Sequence, residues 1–251
     1  MISNYFKIAV RNILRHKVYS FINIVGLAVG MACTILILLW VQYELSFDLY
    51  HEKADRIYRL ATYGAVGKIK GGYAVSNYIA GKTLTKDYSE VERSARFQKI
   101  PFKILIQYND KQYFEDNIFL ADDTVFNIFT FPLIKGDPQV ALKSAFSIVI
   151  TEDLAQKYFG NEDPIGSVVK ADNKHEYTVT GVMKNILPNS HFIFNALVSF
   201  ETLRYLYDNY QKEREEDWLV HDNYTYLLLR KAYDHRDLEK KIPCVHRKIC
   251  G

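Results

Sequence analysis

The sequence predicts a mixed α+β domain attached to a membrane by one N-terminal helix. Residues 21–41 form a stretch of about 21 residues without a charged side chain, enough at 1.5 Å per residue to cross about 30 Å of hydrocarbon. The rest of the chain alternates short segments of strand-like and helix-like periodicity. It is rich in tyrosine and phenylalanine, which favour sheets packed against helices.

Residues 1–19 are predicted to form a basic amphipathic helix on the cytoplasmic surface of the membrane. Their apolar residues fall mostly on one helical face, and basic side chains occupy the other sides. These basic residues are Lys7, Arg11, Arg15 and Lys17. The helix could contact a cytoplasmic partner, or it could be no more than the positively charged flank of a membrane span.

Residues 20–43 are predicted to be an uncleaved transmembrane helix. The apolar core of a signal peptide is shorter, about 7 to 15 residues, and a small-x-small cleavage site should follow it, which this segment lacks. Basic residues precede the span, and Glu44, Asp48 and Glu52 follow it. The excess of basic residues on one side predicts a cytoplasmic N-terminus and an extracytoplasmic main domain.

Four small or polar residues follow one stripe of this helix. Gly26 and Gly30 form a G-x-x-x-G pair that would let a second helix approach closely, and Asn23 and Thr34 extend the stripe. The pair predicts packing against a helix from outside this chain, although such pairs also arise by chance in membrane helices.

Residues 44–240 are predicted to form the α+β domain, with no second membrane span. Thr151 is expected to cap a helix that stops at Gly160, and Asp122 is expected to cap another. The turns are expected at Asn109–Lys111, Asp163–Pro164 and Pro188–Asn189. The predicted strands are 56–63, 91–100, 102–110, 111–120, one before Thr151, one after Pro164, 176–186, 191–200 and 223–230, and the predicted helices are 76–88, 122–129, the segment between Thr151 and Gly160, and 201–217.

The sequence contains no recognisable catalytic, cofactor-binding or metal-binding motif, so we predict that the protein is not an enzyme. The triplet Gly81–Thr83 (GKT) resembles part of a phosphate-binding loop, but Ser76 stands where that motif needs glycine. The acidic run 213–217 is typical of a solvated helix end. The histidines of the outer domain lack the spacing of metal ligands; they are His175, His191, His221 and His235.

A net charge of +3, from 32 basic and 29 acidic residues, argues against binding to nucleic acid. In the tail, Cys244 and Cys250 could form a disulfide in an oxidising compartment. A zinc site that also uses His246 is the less favoured alternative, because only three ligands cluster there.

Several segments, in this order, resemble the MacB-like, FtsX-type ABC transporter permeases, particularly the form common in Bacteroidetes. The segments are NYFKIAVRNILRHKVYSFINIVGLAVG, YELSFDLYHEKADRIYRL, FSIVITEDLAQKYFGNEDPIGSVV, YTVTGVMKNILPNSHFIFNALVSF and YTYLLL. The resemblance covers roughly residues 1–230. It implies a surface helix and a first membrane helix that lead into a periplasmic core domain of two lobes, with an inserted lobe at roughly residues 101–171.

The resemblance also implies a mechanism and partners. Such permeases couple ATP-driven closure of a cytoplasmic ATPase to movement of the periplasmic domain, for efflux or for lipoprotein export. ATP would be bound by that separate ATPase, and this chain would bind no cofactor. Other implied partners are further permease helices or a second permease copy in the inner membrane, and a periplasmic adaptor. Force would enter the outer domain at the segment 44–60, through a membrane-domain joint that includes Glu44, Phe47, Asp48, Asp55 and Arg56.

The sequence departs from the family at its C-terminal end. It stops at Gly251, whereas the family would continue through three more membrane helices, and residues 241–251 do not resemble the family. The departure predicts a truncated permease. The alternatives are a single-span, membrane-anchored periplasmic binding or sensor module and, less favoured, an anchored enzyme.

Overall fold

A computed structural model describes residues 2–66, 69–207, 213–214, 220–242 and 246–249. The chain divides into two compact units, Met1–Phe47 and Asp48–Gly251.

The first unit consists of two helices. Helix α1 spans Ile2–Arg15 and helix α2 spans Lys17–Leu45. Helix α2 has 29 residues, and a window of it reaches a mean hydropathy of 2.6 with no residue buried in the protein. Among the described residues it is the one helix long and apolar enough to cross a membrane.

The second unit contains a 3-10 turn at Ala54–Arg56, strands and short helices. Its strands are β1 (Ile57–Val66), β2 (Ile69–Tyr73), β3 (Val91–Lys99), β4 (Ile104–Tyr108), β5 (Lys111–Glu115), β6 (Ile118–Ala121), β7 (Leu133–Lys135), β8 (Ser147–Thr151), β9 (Val168–Ala171), β10 (His175–Met183), β11 (Ala196–Ser199), β12 (Tyr224–Leu229) and β13 (His246–Ile249). Its helices are α3 (Ala80–Asp87), α4 (Val125–Ile128), α5 (Glu152–Phe159), α6 (Leu203–Leu206) and α7 (His235–Lys241).

The described strands form one mixed sheet. Its order is β13, β1, β12, β3, β6, β11, β8, β10, β9, β4, β5, while β2 pairs with β1 and β7 pairs with β10. The pairs β6–β11 and β8–β10 are parallel, and the other pairs are antiparallel. This arrangement confirms the predicted α+β class. The predicted bounds of an inserted lobe stay a prediction.

Three hydrophobic clusters pack on the sheet. One includes residues of helix α5 and of the strands from β6 to β4, and one includes residues of helices α3 and α7 with β1 and β12. The third is rich in aromatic rings. Its rings are Phe97, Phe119, Phe129, Phe131, Phe192, Phe194 and Tyr226.

Helix α5 begins and ends as predicted. The Thr151 hydroxyl accepts a hydrogen bond from the Leu154 amide, so it satisfies one of the free N–H groups of the first turn. Gly160 follows the helix with φ +61°, a backbone conformation that costs glycine little.

The prediction that Asp122 caps a helix is wrong. Helix α4 follows Thr124, which makes no side-chain cap, while the Asp122 carboxylate binds Arg96. The Arg96 side chain donates to both Asp122 oxygens, at 2.9 and 2.6 Å, and is 3% exposed. A buried guanidinium needs a carboxylate partner more than a one-turn helix needs a cap.

The predicted strand 111–120 is in fact two strands. Asn117 has φ +53° and ends the run. On one side β5 pairs with β4 in the predicted hairpin, and on the other β6 pairs with β3 and β11. A left-handed residue turns the chain, and asparagine tolerates that conformation better than most residues.

The last third is less regular than predicted. In the segment 191–200 only Ala196–Ser199 is a strand, because the residues before it form a loop whose phenylalanines pack into the aromatic cluster. The segment 201–217 begins with a 3-10 turn at Phe200–Thr202 and helix α6, and most of its remainder lies outside the described residues. Cys244 and Cys250 also lie outside them.

Candidate functional site

The second unit begins with residues 48–56, which we call the entry segment. Asp48 is its first residue and has φ +59°, a left-handed conformation that aspartate tolerates better than most side chains. Its amide donates to the Asn189 carbonyl at 2.9 Å. Its Oδ1 accepts from the His191 amide at 3.0 Å and from the Ser190 hydroxyl at 3.2 Å. Both the backbone and the side chain of Asp48 are therefore fixed to one loop.

Asp48 also starts a chain of polar side chains. Its Oδ2 lies 2.6 Å from Nδ1 of His191, and Nε2 of His191 lies 2.6 Å from the Tyr226 hydroxyl. Burial alone would raise the pKa of Asp48, but the hydrogen bonds and charge of His191 outweigh it, and the net pKa is lowered. Burial raises the pKa of Tyr226, so its hydroxyl stays protonated. The chain thus orients the loop and offers no activated nucleophile.

Tyr50 reinforces the same attachment. Its hydroxyl lies 3.0 Å from the Ser190 hydroxyl oxygen, which also accepts a hydrogen bond from the Phe192 amide at 3.2 Å. Burial raises the pKa of Tyr50. The entry segment and the loop 188–192 are therefore joined by contacts of two neighbouring side chains.

His51 is buried, 4% exposed, in the aromatic cluster. Its ring lies edge to face with Phe129 and Phe131, at centroid distances of 5.1 and 5.5 Å. Its Nδ1 accepts a hydrogen bond from the Thr130 amide at 3.1 Å, which assigns the ring hydrogen to Nε2. Nε2 has no hydrogen-bond partner in the described part of the chain. Burial lowers the pKa of His51 to about 4, so the ring is neutral near pH 7.

The rest of the entry segment contacts the segment 127–130 again and two strands of the sheet. The Glu52 amide donates to the Thr130 hydroxyl at 2.9 Å, and Lys53 Nζ donates to the Asn127 carbonyl at 2.5 Å. Arg56 pairs with Glu92 at 3.0 Å and donates to the Leu229 carbonyl, also at 3.0 Å. The segment is therefore attached to the loop 188–192, to the segment 127–130 and to the ends of strands β3 and β12.

The residues predicted for the membrane-domain joint fall into two groups. Asp48 and Arg56 make the contacts described above, whereas the side chain of Asp55 is exposed on the 3-10 turn. Glu44 and Phe47 belong to the first unit, where the Phe47 ring packs edge to face on Tyr43 at 5.4 Å. The role of all five as a joint stays a prediction.

Sequence reasoning missed Tyr50, His51, Ser190 and His191 as parts of one site. The two sides of the site lie about 140 residues apart in sequence, so no local periodicity or motif connects them. A histidine without metal-ligand spacing gives no other signal in one sequence.

The predicted residues of the first unit are exposed. Lys7, Arg11, Arg15 and Lys17 lie on the surface, and so does the stripe of Asn23, Gly26, Gly30 and Thr34. A Cβ atom added at Gly26 or Gly30 would meet no atom within 4 Å, and Thr34 donates to the Gly30 carbonyl at 2.9 Å. Their roles in surface binding and helix packing stay predictions.

The described residues contain no group of three or more side chains that could hold a metal ion. A cavity of about 570 Å³ lies elsewhere in the second unit, and Leu203 and Leu206 of helix α6 line part of it. Its walls are mostly apolar, including Ile106, Leu120 and Ile148, and Lys99 and Lys174 also line it.

Comparison with known proteins identifies one family. The sequence profile of a family described as MacB-like periplasmic core domain matches residues 20–243. No curated protein shows a significant match.

Three solved structures share the fold. A domain of a permease protein from Porphyromonas gingivalis has a TM-score of 0.64 at 20% identity, covering 76% of this chain and 80% of that one. The periplasmic region of MacB from Actinobacillus actinomycetemcomitans has a TM-score of 0.54 at 14% identity, covering 75% and 81%. The extracellular domain of the noncanonical ABC-type transporter YknZ from Gram-positive bacteria has a TM-score of 0.52 at 14% identity, covering 77% and 99%.

Proposed function

The chain belongs to the family of MacB-like periplasmic core domains of ABC transporter permeases, and on this premise we propose that it transmits ATP-driven movement from the cytoplasm to the periplasm. The movement would serve efflux or the export of lipoproteins or similar substrates. The family is a transporter domain and not an enzyme class, and the proposed work is mechanical: it needs no nucleophile, metal or cofactor in this chain.

The attachment of Asp48 carries the proposal. Helix α2 ends at Leu45, and Asp48 follows three residues later. Three residues of fully extended chain span at most about 11 Å, so little slack separates the helix end from the first fixed residue. A larger displacement of the helix end must therefore pull on Asp48, and through Asp48 on the loop 188–192.

The other attachments of the entry segment would spread that pull over the sheet. Arg56 contacts Glu92 and Leu229 on two neighbouring strands, and Lys53 contacts Asn127 of helix α4. A linker that serves only as a flexible tether would need no such contacts. The entry segment is therefore suited to move the domain as a body.

We further propose the partners and the location that this function requires. Helix α2 would cross the inner membrane with the N-terminus in the cytoplasm and the second unit in the periplasm, consistent with the basic residues of α1. A cytoplasmic ATPase would bind and hydrolyse ATP. Further permease helices or a second copy would pack on α2, and a periplasmic adaptor would contact the second unit.

The test follows the entry segment through the ATPase cycle. The full chain, with its native cysteines replaced by serine and Leu49→Cys added, is purified from its own membranes together with the ATPase that co-purifies. Leu49 is 68% exposed, so a thiol there can react. We expect the rate of thiol labelling to differ at least ~3-fold between the ATP-free and the vanadate-trapped complex.

A matched variant separates coupling from assembly. Adding Asp48→Ala should abolish the change in labelling while ATP hydrolysis continues, because the loop contacts of Asp48 are lost. The proposal fails if no ATPase co-purifies, or if trapping leaves the labelling rate of Leu49→Cys unchanged.

One observation favours a second candidate function, a membrane-anchored binding or sensor module. The cavity of about 570 Å³ is large enough for a small apolar ligand. This candidate predicts that a small molecule extracted from the purified chain is lost in Ile148→Trp, which fills the cavity, and that no ATPase is required for binding.

A further inference from the structure

His51 is the one buried side chain of the entry segment. It links that segment to the segment 127–131 through the hydrogen bond from the Thr130 amide to Nδ1. This bond requires a lone pair on Nδ1, and a protonated imidazole has none there. Protonation of His51 and the bond to Thr130 therefore exclude each other.

We propose that protonation of His51 breaks its contact with the segment 127–131 and so loosens the entry segment. A proton from solvent adds to Nδ1, the ring becomes an imidazolium that carries hydrogen on both nitrogens, and the Thr130 amide loses its acceptor. The charged ring then leaves the aromatic cluster for water. The idea that this release controls the transmitted movement rests on the proposed function. The release itself does not depend on that function.

The surroundings of His51 oppose its charge. The phenyl rings of Phe129, Phe131 and Phe192 face it, and the segment 127–132 carries no titratable side chain. The titratable groups near the ring are Asp48, Tyr50 and His191. Burial lowers the pKa of His51 most, His191 lowers it further, and Asp48 raises it in part.

The direction of the effect follows from the two states. The attached ring has a pKa of about 4, and a ring released into water has the ordinary value near 6.5. Between these values the released state binds more protons, so the attachment is complete above pH 6.5 and weakens as the pH falls. At pH 5 the ratio of attached to released states should be about 30-fold lower than at pH 7.5.

The attachments at Asp48 and at His51 should respond differently. The pKa of Asp48 is lowered, so its carboxylate stays ionised at pH 5 and keeps its contact with His191. The hydrogen bonds between Asp48 and the loop 188–192 should therefore persist, while the hydrogen bond between His51 and the segment 127–131 is lost. Acidification would remove the attachment at His51, while Asp48 and Arg56 keep theirs.

Residue-resolved hydrogen exchange of the full chain in detergent tests this. After correction for intrinsic exchange rates, protection of the Thr130 and Glu52 amides should fall about 30-fold between pH 7.5 and pH 5. Protection of the Asp48 and His191 amides should change less than ~3-fold over the same range.

Two variants complete the test. His51→Asn offers an amide oxygen near the position of Nδ1 and does not titrate, so it should keep the protection of Thr130 at pH 5. His175→Asn, at an exposed histidine of strand β10, should behave as the unchanged chain. The proposal is overturned if His51→Asn keeps the pH dependence, or if the Asp48 and His191 amides lose protection together with that of Thr130.

A direct measurement on the unchanged chain covers the case in which His51→Asn does not fold. Nitrogen-15 NMR of labelled histidine should show His51 with hydrogen on Nε2 at pH 7.5 and a pKa below 5. An ordinary pKa near 6.5 for His51 would overturn the proposal. None of these measurements requires the ATPase, so their failure is distinguishable from failure of the proposed function.

Discussion

At the scale of residues, Asp48 combines a backbone requirement with a side-chain requirement. Its left-handed φ turns the chain toward the loop 188–192. Its carboxylate accepts hydrogen bonds from the backbone and side chains of that loop. Aspartate and asparagine are the non-glycine residues best suited to the first requirement. Only aspartate also supplies the negative charge that faces His191.

Two substitutions at Asp48 separate these requirements. Asp48→Asn keeps the tolerance of positive φ and an acceptor oxygen, so we expect it to lower the free energy of unfolding by only ~1 kcal/mol. Asp48→Ala also loses the acceptors for three donors and should cost ~2–3 kcal/mol. Denaturation of the full chain in detergent, followed by near-UV circular dichroism, measures both. Equal costs for the two variants would contradict this account.

Arg96 is a second residue whose role only the fold reveals. Its guanidinium is buried, binds Asp122 with two hydrogen bonds from its side chain, and lies over the rings of Tyr78 and Phe200, at 4.1 and 4.6 Å from their centroids. Burial would lower the pKa of Arg96, but the charge and hydrogen bonds of Asp122 outweigh it and raise the net pKa, so the guanidinium stays charged.

Removing Arg96 alone should therefore be costly. Arg96→Met leaves the Asp122 carboxylate without its cation and should lower the free energy of unfolding by ~3–4 kcal/mol. The double variant Arg96→Met with Asp122→Leu should recover at least ~1 kcal/mol, because no uncompensated charge remains. The same denaturation measurement applies, and a double variant less stable than Arg96→Met would argue against the explanation.

At the scale of elements, local signals predicted well wherever local interactions decide the structure. The cap of helix α5 at Thr151 and its stop at Gly160 depend on neighbours within four residues, and both are confirmed. The prediction of a cap at Asp122 failed because the carboxylate binds Arg96, which lies 26 residues away in the sequence. The break at Asn117 and the loop before β11 depend on which distant strands and rings pack there, and a single sequence does not show this.

The candidate site follows the same rule. The resemblance of the sequence to a known family pointed to the segment 44–60, but the partners of that segment come from the segment 127–130, from the loop 188–192, and from Glu92 and Leu229. Each of these lies in a stretch that looks unremarkable by periodicity. The contact between them exists only because the sheet brings the ends of distant strands together.

The orientation of helix α2 is testable with two single cysteines. In a chain whose native cysteines are replaced by serine, Ser46→Cys should react with a membrane-impermeant thiol reagent in cells with a permeabilised outer membrane. Ser3→Cys should react only after the inner membrane is also opened. Ser3 lies near the basic end of the first unit and Ser46 near its acidic end. Labelling of Ser3→Cys but not of Ser46→Cys in such cells would refute the proposed topology.

At the scale of the whole molecule, the exposed stripe of α2 predicts association with another helix. Because a Cβ at Gly26 or Gly30 meets no atom within 4 Å among the described residues, Gly26→Leu with Gly30→Leu should leave the fold intact and weaken contact with a partner helix at least ~10-fold. Energy transfer between labelled chains in lipid bilayers measures association with a second copy.

The matched control for that pair is Ala28→Leu with Ala32→Leu. It makes the same kind of change at the same spacing on another face of α2, and it should change association less than ~2-fold. Equal effects of the two pairs would place the contact elsewhere on the helix.

The pairing of β1 with β12 sets an order of events during synthesis. Strand β1 begins at Ile57, and its neighbour β12 ends at Leu229. Helix α2 is complete roughly 180 residues before the ribosome supplies β12, whereas β2, the other early partner of β1, follows it directly. In the proposed topology, the growing chain is therefore already held at the membrane, with β1 lacking β12, while most of the domain is still being exported. A chaperone of the periplasm that shields strand edges would have its longest opportunity to act on this protein during that interval.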